Sequence, residues 1–491
     1  MGTSTEPDIA RALAACVGPG RVITDLAERA LLSSDLYAEG ATCAVAIRPA
    51  DAATLAAAVG TATRAGYAVI PRGGGLSYTR GYVPDTGYAV VVDTRDLAGI
   101  GELDAEGMTL TVRTGTTWEA IDAALAPHGL RLPYFGTFSG RAATVGGGLS
   151  GGALFYGTAR YGAAADNVLD LEIACADGRV LRTGQAALRN GKPFYRTHGP
   201  DFTGLFLHDG GALGIKTEAT FRLIERPAHT GFLSWAFPDA QNAAAALSAI
   251  GRSGATEEAY VFDPATTARG MAASTLASDL RRLRGIVTGQ RGLLAGLRAG
   301  ARVVRAGKRL VPEGAHSLHL VCAGRTAAAL AADLDLCVAL LGRHGGQEIP
   351  NSIPMGVRAA PFDNLNGVVG PRGERWLALN AKVRHGDALR IINRFGIMIE
   401  GYRERMAAAR VTCSTLFTAM NTHAFSFESV YHWPDRWLPL HRATADPAFL
   451  ATLPPDTPNP AGAALVAELR ERTLDLFDEL GGFLFELRDE V

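Results

Sequence analysis

Apolar and polar positions along this chain follow two periods, short apolar runs typical of strands and longer alanine-rich stretches typical of helices. Strand-like runs occupy residues 67–70, 88–93 and 109–113 of the first half. Asp51 precedes one alanine-rich stretch and is in position to cap a helix that runs to about Arg64. The interleaved strands and helices predict an α+β or α/β first domain.

The second half again alternates strand-like and helix-like segments. Strands are predicted at residues 231–237, 260–262 and 319–322, and helices at residues 239–250, 326–344 and 388–408. Residues 425–434 alternate strictly before a proline, so neighbouring side chains there must point to opposite faces. Phe425, Phe427, Ser429 and Tyr431 share one face, and Ser426, Glu428, Val430 and His432 share the other.

Composition restricts the function classes. The chain has 491 residues, of which 47% are hydrophobic and 20% charged, so a sizeable core is expected and global disorder is not. The net charge of −1 gives no indication of nucleic-acid binding. The six cysteines are far apart without a Cys-x-x-Cys pair, which predicts a reducing, cytoplasmic location. No secretory signal and no membrane span are expected.

A glycine-rich loop follows the strand at residues 67–70. It reads Pro71-Arg72-Gly73-Gly74-Gly75-Leu76-Ser77. Consecutive glycines let backbone N–H groups converge on one point, and such a concavity binds anions. Arg72 adds charge and Ser77 a hydroxyl donor. The loop predicts a cradle for a diphosphate, and the alternative is a glycine-rich surface turn.

Three further motifs follow in order, at residues 143–148, 167–184 and 201–215. Together with the loop at residues 71–81, they resemble the FAD-binding domain of the vanillyl-alcohol oxidase / p-cresol methylhydroxylase family, which includes D-lactate dehydrogenases. One glycine motif is weak support for such a resemblance, whereas four in register over some 180 residues are strong.

The resemblance implies an α+β fold with two domains and a tail. Residues 1–227 are expected to form a two-lobed FAD-binding domain, and residues 228–435 a cap or substrate-binding domain with an antiparallel sheet flanked by helices. Residues 436–491 are expected to form a helical segment that returns to the FAD-binding domain. The last residues stand about where the family's final substrate-contacting residues would begin, so this segment is expected to be short.

The resemblance also implies which residues bind FAD. These are expected to be Pro71, Arg72, Gly73, Gly74, Gly75, Leu76, Ser77, Thr144, Val145, Gly146, Gly147, Leu213, Gly214 and Ile215. Family members that attach FAD covalently through the first loop have a histidine where this chain has Leu76. Leucine has no nucleophilic nitrogen, so FAD is expected to bind non-covalently; a covalent link from the second domain, with His423 as its candidate, remains an alternative.

Oxidation of an alcohol or hydroxy acid by a flavin needs a base near the hydroxyl and, for an acid, an arginine at the carboxylate. Tyr431 and His432 rank first as catalytic candidates because they lie in the strand that resembles a flavin-facing segment of the family. The other candidates are Glu428, His385, Arg384, His423 and Arg358. The histidine-rich motifs of metal-dependent relatives are absent, so no metal is expected.

The resemblance predicts an FAD-dependent oxidoreductase that oxidises a small alcohol or a D-2-hydroxy acid of the lactate or glycolate type by hydride transfer to flavin N5. Oxygen, a quinone or a cytochrome would accept the electrons, and a homodimer remains open. The alternatives are an oxidase or dehydrogenase of para-substituted phenols, a non-redox transferase like the alkyl-dihydroxyacetone-phosphate synthases, and a weakened flavin binder.

A dense basic segment, Arg281–Arg309, is unusual for this chain because it contains no acidic residue. It is either a docking surface for anionic lipid or an acidic electron acceptor, or a solvated helix of the second domain.

Overall fold

The computed structural model describes residues 6–197, 199–272, 311–362 and 364–484. The basic segment Arg281–Arg309 lies outside these ranges. The helices are α1 Glu6–Val17, α2 Leu26–Leu32, α3 Ala52–Arg64, α4 Trp118–Leu125, α5 Val145–Ser150, α6 Thr158–Tyr161, α7 Phe202–Leu205, α8 Ala240–Ser253, α9 Pro264–Ala272, α10 Ala327–Arg343, α11 Ser352–Ala359, α12 Ala388–Ala408, α13 Pro439–Thr444, α14 Pro447–Leu450 and α15 Pro460–Glu479.

The strands build four sheets. They are β1 Val22–Ile23, β2 Val45–Ile47, β3 Ala68–Arg72, β4 Ala89–Asp93, β5 Ile100–Asp104, β6 Thr109–Arg113, β7 Leu130–Arg131, β8 Val168–Ala174, β9 Val180–Arg182, β10 Ile215–Arg222, β11 Ile224–Glu225, β12 His229–Phe237, β13 Glu258–Phe262, β14 His316–Gly324, β15 Gln347–Glu348, β16 Glu374–Arg384, β17 Thr412–Met420, β18 Ala424–Pro434 and β19 Phe483–Leu484.

The first sheet carries the glycine loop. Its order is β1-β2-β4-β3, with β2, β4 and β3 parallel and β1 antiparallel. Asp51 accepts a hydrogen bond from the amide of Thr54 at 2.8 Å, so the predicted cap of α3 is confirmed. Strands β2 and β4 are fully buried and β3 only partly, and the last residues of β3, Pro71 and Arg72, lead directly into the loop.

A second, antiparallel sheet has the order β5-β6-β10-β8-β9 and carries the other glycine motifs at its ends. The pair β8–β9 is closed by the tight turn at Asp177 and Gly178, as the sequence predicts, with Gly178 at a φ of 87°. A two-stranded pair, β7 with β11, completes the first half.

The second half is organised around one eight-stranded antiparallel sheet of order β15-β12-β14-β13-β17-β18-β16-β19. Helices α8, α10, α12 and α15 cover one face, and their apolar side chains form a single core with that face. The opposite face of β16, β17 and β18 is left free to face the first half of the chain. The predicted α+β fold with an antiparallel second sheet is thereby confirmed.

The C-terminal segment packs against both the second sheet and the FAD-binding half. Leu465, Leu469 and Phe477 of α15 belong to the core beneath the eight-stranded sheet, and β19 pairs with β16. The segment also packs against the first half: Trp437 and Leu440 share an apolar cluster with Leu36 and Leu76, and Arg470 donates to the carbonyl of Thr79 at 3.3 Å. None of the described helices is long and apolar enough to cross a bilayer.

Candidate functional site

The two glycine-rich loops pack directly against each other. A Cβ built on Gly73 would lie 2.2 Å from Oγ1 of Thr144, and one on Gly74 would lie 2.1 Å from the carbonyl oxygen of Ala142. Both distances are far shorter than any real contact of a Cβ atom, so only glycine fits at these two positions. The close approach makes the two loops one continuous wall.

Arg72 fixes the first loop from behind. Its guanidinium is buried and donates to the carbonyl of Ser34 at 2.6 Å. Burial lowers the pKa of Arg72 to about 10, so the side chain keeps its charge at neutral pH. Gly75 has a φ of 71°, and a Cβ there would collide with the same guanidinium. The loop therefore places a permanent positive charge next to its glycine backbone.

This wall borders a cavity of about 1560 Å³ between the two halves of the chain. Of the fourteen residues predicted to bind FAD, twelve line the cavity: Pro71, Arg72, Gly73, Gly74, Gly75, Leu76, Ser77, Thr144, Gly146, Gly147, Gly214 and Ile215. The other two do not. Val145 is fully buried in the core behind the loop, and Leu213 is 56% exposed on the outside.

The opposite wall is the free face of the eight-stranded sheet. Alternate residues of three adjacent strands line it: Trp376, Ala378 and Asn380 of β16, Ser414, Leu416 and Thr418 of β17, and Ser426, Glu428, Val430 and His432 of β18. This is the face that the alternation of residues 425–434 separates from Tyr431. The cavity thus lies between a glycine-rich wall and a wall that carries titratable side chains.

Glu428 belongs to a polar network on that wall. It accepts from Nδ2 of Asn380 at 3.2 Å, and Lys382 donates to Oδ1 of Asn380 at 2.5 Å and to Oγ of Ser426 at 2.9 Å. Burial raises the pKa of Glu428 to about 7, against the opposing charge of Lys382. The carboxyl group is therefore poised to gain or lose a proton near neutral pH.

His432 lies two turns of the pleat further along the same face. Its Nε2 is 3.2 Å from Oγ of Ser414, and its Nδ1 is buried without a hydrogen-bond partner among the described residues. Burial, followed by the charge of Arg269, lowers the pKa of His432 to about 3. The imidazole is accordingly neutral, and its Nδ1 is an unpaired polar atom within the cavity wall.

Arg269 of α9 lines the cavity next to His432. One of its terminal nitrogens is hydrogen-bonded to Oγ1 of Thr412, and its Nε is buried without a partner in the part of the chain that the structure describes. Burial lowers the pKa of Arg269, but a guanidinium remains charged at neutral pH. A cation and a neutral imidazole therefore share one corner of the cavity.

Three catalytic predictions are corrected by the structure. Tyr431 lies on the core side of β18, where its hydroxyl is 2.6 Å from Oγ1 of Thr473. His385 packs against Gly251 and Phe425 beyond the end of β16, and Arg384 is exposed and bonded to Asp387. Neither lines the cavity. The alternation of the strand separates Tyr431 from its neighbour His432, and β16 passes out of the cavity before it reaches Arg384.

The two remaining candidates also lie elsewhere. His423 is exposed in the turn between β17 and β18. Arg358 forms ion pairs with Glu258 at 2.5 Å and Glu257 at 3.1 Å and lies over the ring of Phe135. These contacts hold Arg358 in a buried charge cluster outside the cavity lining.

Three residues of the site were not predicted from the sequence, namely Arg269, Asn380 and Lys382. The strand pattern of β16 contains a usable signal, since Asn380 and Lys382 alternate with apolar residues in a strand that is otherwise buried. Arg269 carries no such signal, because it comes to His432 only through the tertiary packing of α9 on β17.

A buried ion pair supports the glycine wall from the side of β10. Nζ of Lys216 lies 2.6 Å from Oδ1 of Asp209 and donates to Oγ of Ser150 at 2.9 Å. Lys216 is 3% exposed and lines the cavity beside Ile215. No group of three or more histidine, cysteine or acidic side chains within the described ranges is arranged to hold a metal ion.

Comparisons with known proteins identify part of this architecture. Residues 43–184 match the family model of an FAD binding domain. The chain is 29% identical over 188 residues to D-lactate dehydrogenase [cytochrome] 1 of Saccharomyces cerevisiae, covering 38% of this chain and 30% of the relative. It is 29% identical over 199 residues to D-lactate dehydrogenase of Archaeoglobus fulgidus, covering 40% and 43%, respectively. It is 32% identical over 159 residues to glycolate oxidase subunit GlcD of Bacillus subtilis, covering 32% of each.

These matches span less than half of the length of each relative. Among solved structures, p-cresol methylhydroxylase is similar with a TM-score of 0.72 and 16% identity, covering 98% of this chain and 89% of that one. Alkyldihydroxyacetonephosphate synthase is similar with a TM-score of 0.67 and 14% identity, covering 97% and 81%. At these identities the structural likeness shows the fold. The predicted resemblance to the p-cresol methylhydroxylase type of FAD-binding domain is confirmed.

The residues present fit FAD. The glycine wall offers backbone N–H groups and the charge of Arg72 to a diphosphate, and its glycines Gly73, Gly74 and Gly147 line the cavity. The cavity exceeds the roughly 300 to 1000 Å³ of ordinary ligand pockets, which leaves room for a second molecule beside the cofactor.

Proposed function

We propose that this protein is an FAD-dependent oxidoreductase that oxidises a 2-hydroxy acid. The proposal is supported by the matched FAD binding domain and by relatives named D-lactate dehydrogenase and glycolate oxidase. The observation that carries it is the pairing of Arg269 with His432 in one corner of the cavity. A 2-hydroxy acid requires both groups, because its carboxylate and its hydroxyl are on adjacent carbons.

FAD bound along the glycine wall would supply the hydride acceptor. The chain's own residues supply binding and proton transfer. Arg269 holds the substrate carboxylate in a charge-assisted contact through its guanidinium group, which lines the cavity. For Nδ1 of His432 to accept the hydroxyl proton, the ring must carry its own hydrogen on Nε2 and donate it to Ser414.

A bound carboxylate also makes His432 a better base. A negative charge beside an imidazole favours the protonated form, and so it offsets the burial and the Arg269 charge that lower the pKa of His432. The histidine is therefore a stronger proton acceptor when substrate is present than when it is absent. Glu428, at the other end of the wall, is placed to relay protons near neutral pH.

Non-covalent binding of FAD belongs to the proposal. Leu76 lies in an apolar cluster with Tyr78 and Trp376 and offers no nucleophile. His423, the alternative attachment point, does not line the cavity. Acid precipitation checks this point, because the flavin should leave with the supernatant, whereas a yellow pellet would contradict non-covalent binding.

The electron acceptor is oxygen, a quinone or a cytochrome in this proposal, and the name of the yeast relative includes a cytochrome. The cytoplasmic location expected from the cysteine pattern stays a prediction. The name of the yeast relative also includes the word "mitochondrial".

The decisive experiment compares a charged substrate with a neutral one. In anaerobic mixing, D-lactate should bleach the flavin absorbance faster than 1,2-propanediol does. Arg269→Gln should slow reduction by D-lactate about 10- to 100-fold, the value of one charge-assisted contact, and leave the diol rate within a few-fold. Arg390→Gln, which changes an exposed arginine on α12 away from the cavity lining, is the control.

Three outcomes would count against the proposal. If Arg269→Gln slowed flavin reduction equally with both substrates, Arg269 would not be binding the carboxylate. Reduction by vanillyl alcohol but by no hydroxy acid would favour phenol oxidation, the chemistry named for two structural neighbours. Failure of every alcohol to reduce the flavin would favour a non-redox transferase of the kind named for a third.

A further inference from the structure

Exposed apolar side chains concentrate in one segment of the FAD-binding half. Half of the large apolar side chains exposed in the described part of the chain fall between residues 180 and 213, and we call them the apolar patch. They are Val180, Leu181, Leu188, Phe194, Tyr195, Phe202, Leu205 and Leu213. Contiguous exposed apolar surface marks an interaction site more often than scattered exposure does, and within this segment the rings of Phe194 and Tyr195 lie side by side.

The backbone beneath the patch is tied to the sheet. The amide of Gln185 donates to the carbonyl of Tyr195 at 3.0 Å, and the hydroxyl of Thr203 donates to that of Thr183 at 2.8 Å. Phe194 and Tyr195, at 59% and 55% exposure, stand on this held segment with their ring centroids 6.4 Å apart. The aromatic side chains are thus displayed by a fixed backbone.

The charges around the patch are unbalanced. Each acidic side chain between residues 177 and 209 is ion-paired, in the pairs Asp177–Arg179, Asp201–Arg196 and Asp209–Lys216. Arg189 and Lys192 are exposed and form no ion pair with any residue that the structure describes. Next to Val180 and Leu181, Arg182 is shared by Glu172 and Glu218, so the apolar patch carries two unpaired positive charges against one surplus carboxylate at its edge.

We propose that the apolar patch docks on an anionic lipid surface. Exposed aromatic rings settle at the boundary between headgroups and acyl chains, and nearby lysine and arginine side chains are attracted to anionic headgroups. Leu213 directly precedes Gly214 of the cavity wall, so docking would bring the FAD-binding half towards a lipid-soluble electron acceptor.

Sedimentation with vesicles tests the apolar part. The full-length protein should bind vesicles of phosphatidylcholine with phosphatidylserine, and Phe194→Ser/Phe202→Ser should reduce the bound fraction at least tenfold. The matched control is Ile397→Ser/Leu389→Ser, which removes two exposed apolar side chains from α12. That variant should bind like the wild type, and equal binding by all three proteins would overturn the proposal.

Two further measurements test the basic residues of the patch and the insertion of its aromatic rings separately. Arg189→Gln/Lys192→Gln should weaken binding to the anionic vesicles about thirtyfold, from about 1 kcal/mol per basic residue. Tryptophan emission of Phe194→Trp should shift to the blue when anionic vesicles are added, and that of Ile397→Trp should not.

Light scattering without lipid separates a second copy of this chain from a membrane. If the patch variants convert a dimer into a monomer while vesicle binding stays unchanged, the patch is an interface between copies and the lipid proposal fails.

Discussion

Glu428 accepts a hydrogen bond from Asn380 across the β16–β18 pair, and this amide is held in turn by Lys382. The arrangement keeps a carboxyl group at the cavity wall with a pKa raised to about 7. Because the native state binds this proton more tightly than the unfolded chain does, stability falls as pH rises from about 4.5 to about 7.

Glu428→Gln removes the ionisable group and therefore the loss of folding stability that ionising the buried carboxyl group causes at high pH. The variant should gain on the order of 1 to 2 kcal/mol over the wild type at pH 8, and the gain should shrink towards pH 5. Thermal unfolding at the two pH values measures the effect. Glu400→Gln, an exposed glutamate on α12, should show no such trend, and a gain that is constant across pH would contradict the assignment.

The contact between the glycine loops makes Gly74 a sensitive position. Gly74→Ala should destabilise the protein by about 2 kcal/mol or more and release FAD, because the added methyl group meets the carbonyl of Ala142. Gly74→Asp should lose the flavin as well, since it also puts a negative charge near the diphosphate. Flavin absorbance after gel filtration is the measurement, and a fully yellow variant would refute the cradle.

Gly20→Ala is the matched control for this change. A Cβ at Gly20 meets no atom within 4 Å, and its backbone is not left-handed. The control should keep both its flavin and its unfolding temperature.

The buried pair Lys216–Asp209 is expected to behave differently from surface ion pairs. Lys216→Met should cost about 3 kcal/mol, because it leaves a buried carboxylate without its partner. Adding Asp209→Asn should restore part of that loss, so the double variant is more stable than the sum of the single losses predicts. Arg394→Met, which breaks a half-exposed pair with Glu479, should cost under about 1 kcal/mol in the same urea titrations.

Buried neutral histidines should make the protein sensitive to acid. His319 is fully buried between Ser234 and Ser317, and burial lowers its pKa to about 3. Between about pH 3 and pH 6.5 the unfolded chain is protonated at this histidine and the native state is not. The free energy of unfolding therefore decreases as pH falls from about 6.5 towards 3. His319→Gln should flatten this loss by roughly 1 kcal/mol per pH unit, while exposed His128→Gln should not change the slope.

Much of the fold could be predicted from the sequence because its signals are local. The cap at Asp51, the turn at Gly178 and the helix at residues 388–408 each depend on a few neighbouring residues. The glycine motifs were equally informative, since the close contact of Gly73 with Thr144 leaves no other residue type at that position.

The catalytic wall was harder to predict for a physical reason. Alternation divides β18 into two faces, but only tertiary packing decides which face meets the cavity and which meets α15. The sequence therefore made Tyr431 and His432 equal candidates. In the structure Tyr431 faces α15 behind the sheet, where its hydroxyl is hydrogen-bonded to Thr473. Arg269 reaches the wall from 163 positions earlier in the chain, beyond the range of any local pattern.

The ring contact between Tyr78 and Trp376, with centroids 4.9 Å apart, joins the first glycine loop to the second sheet. The cofactor pocket is therefore complete only while both halves are folded and in contact. Bound FAD should couple the unfolding of the two halves. A ligand that contacts both halves binds only when both are folded, so its binding free energy stabilises them together. Calorimetry should show one endotherm for the loaded protein and a broader or divided one after the flavin is stripped.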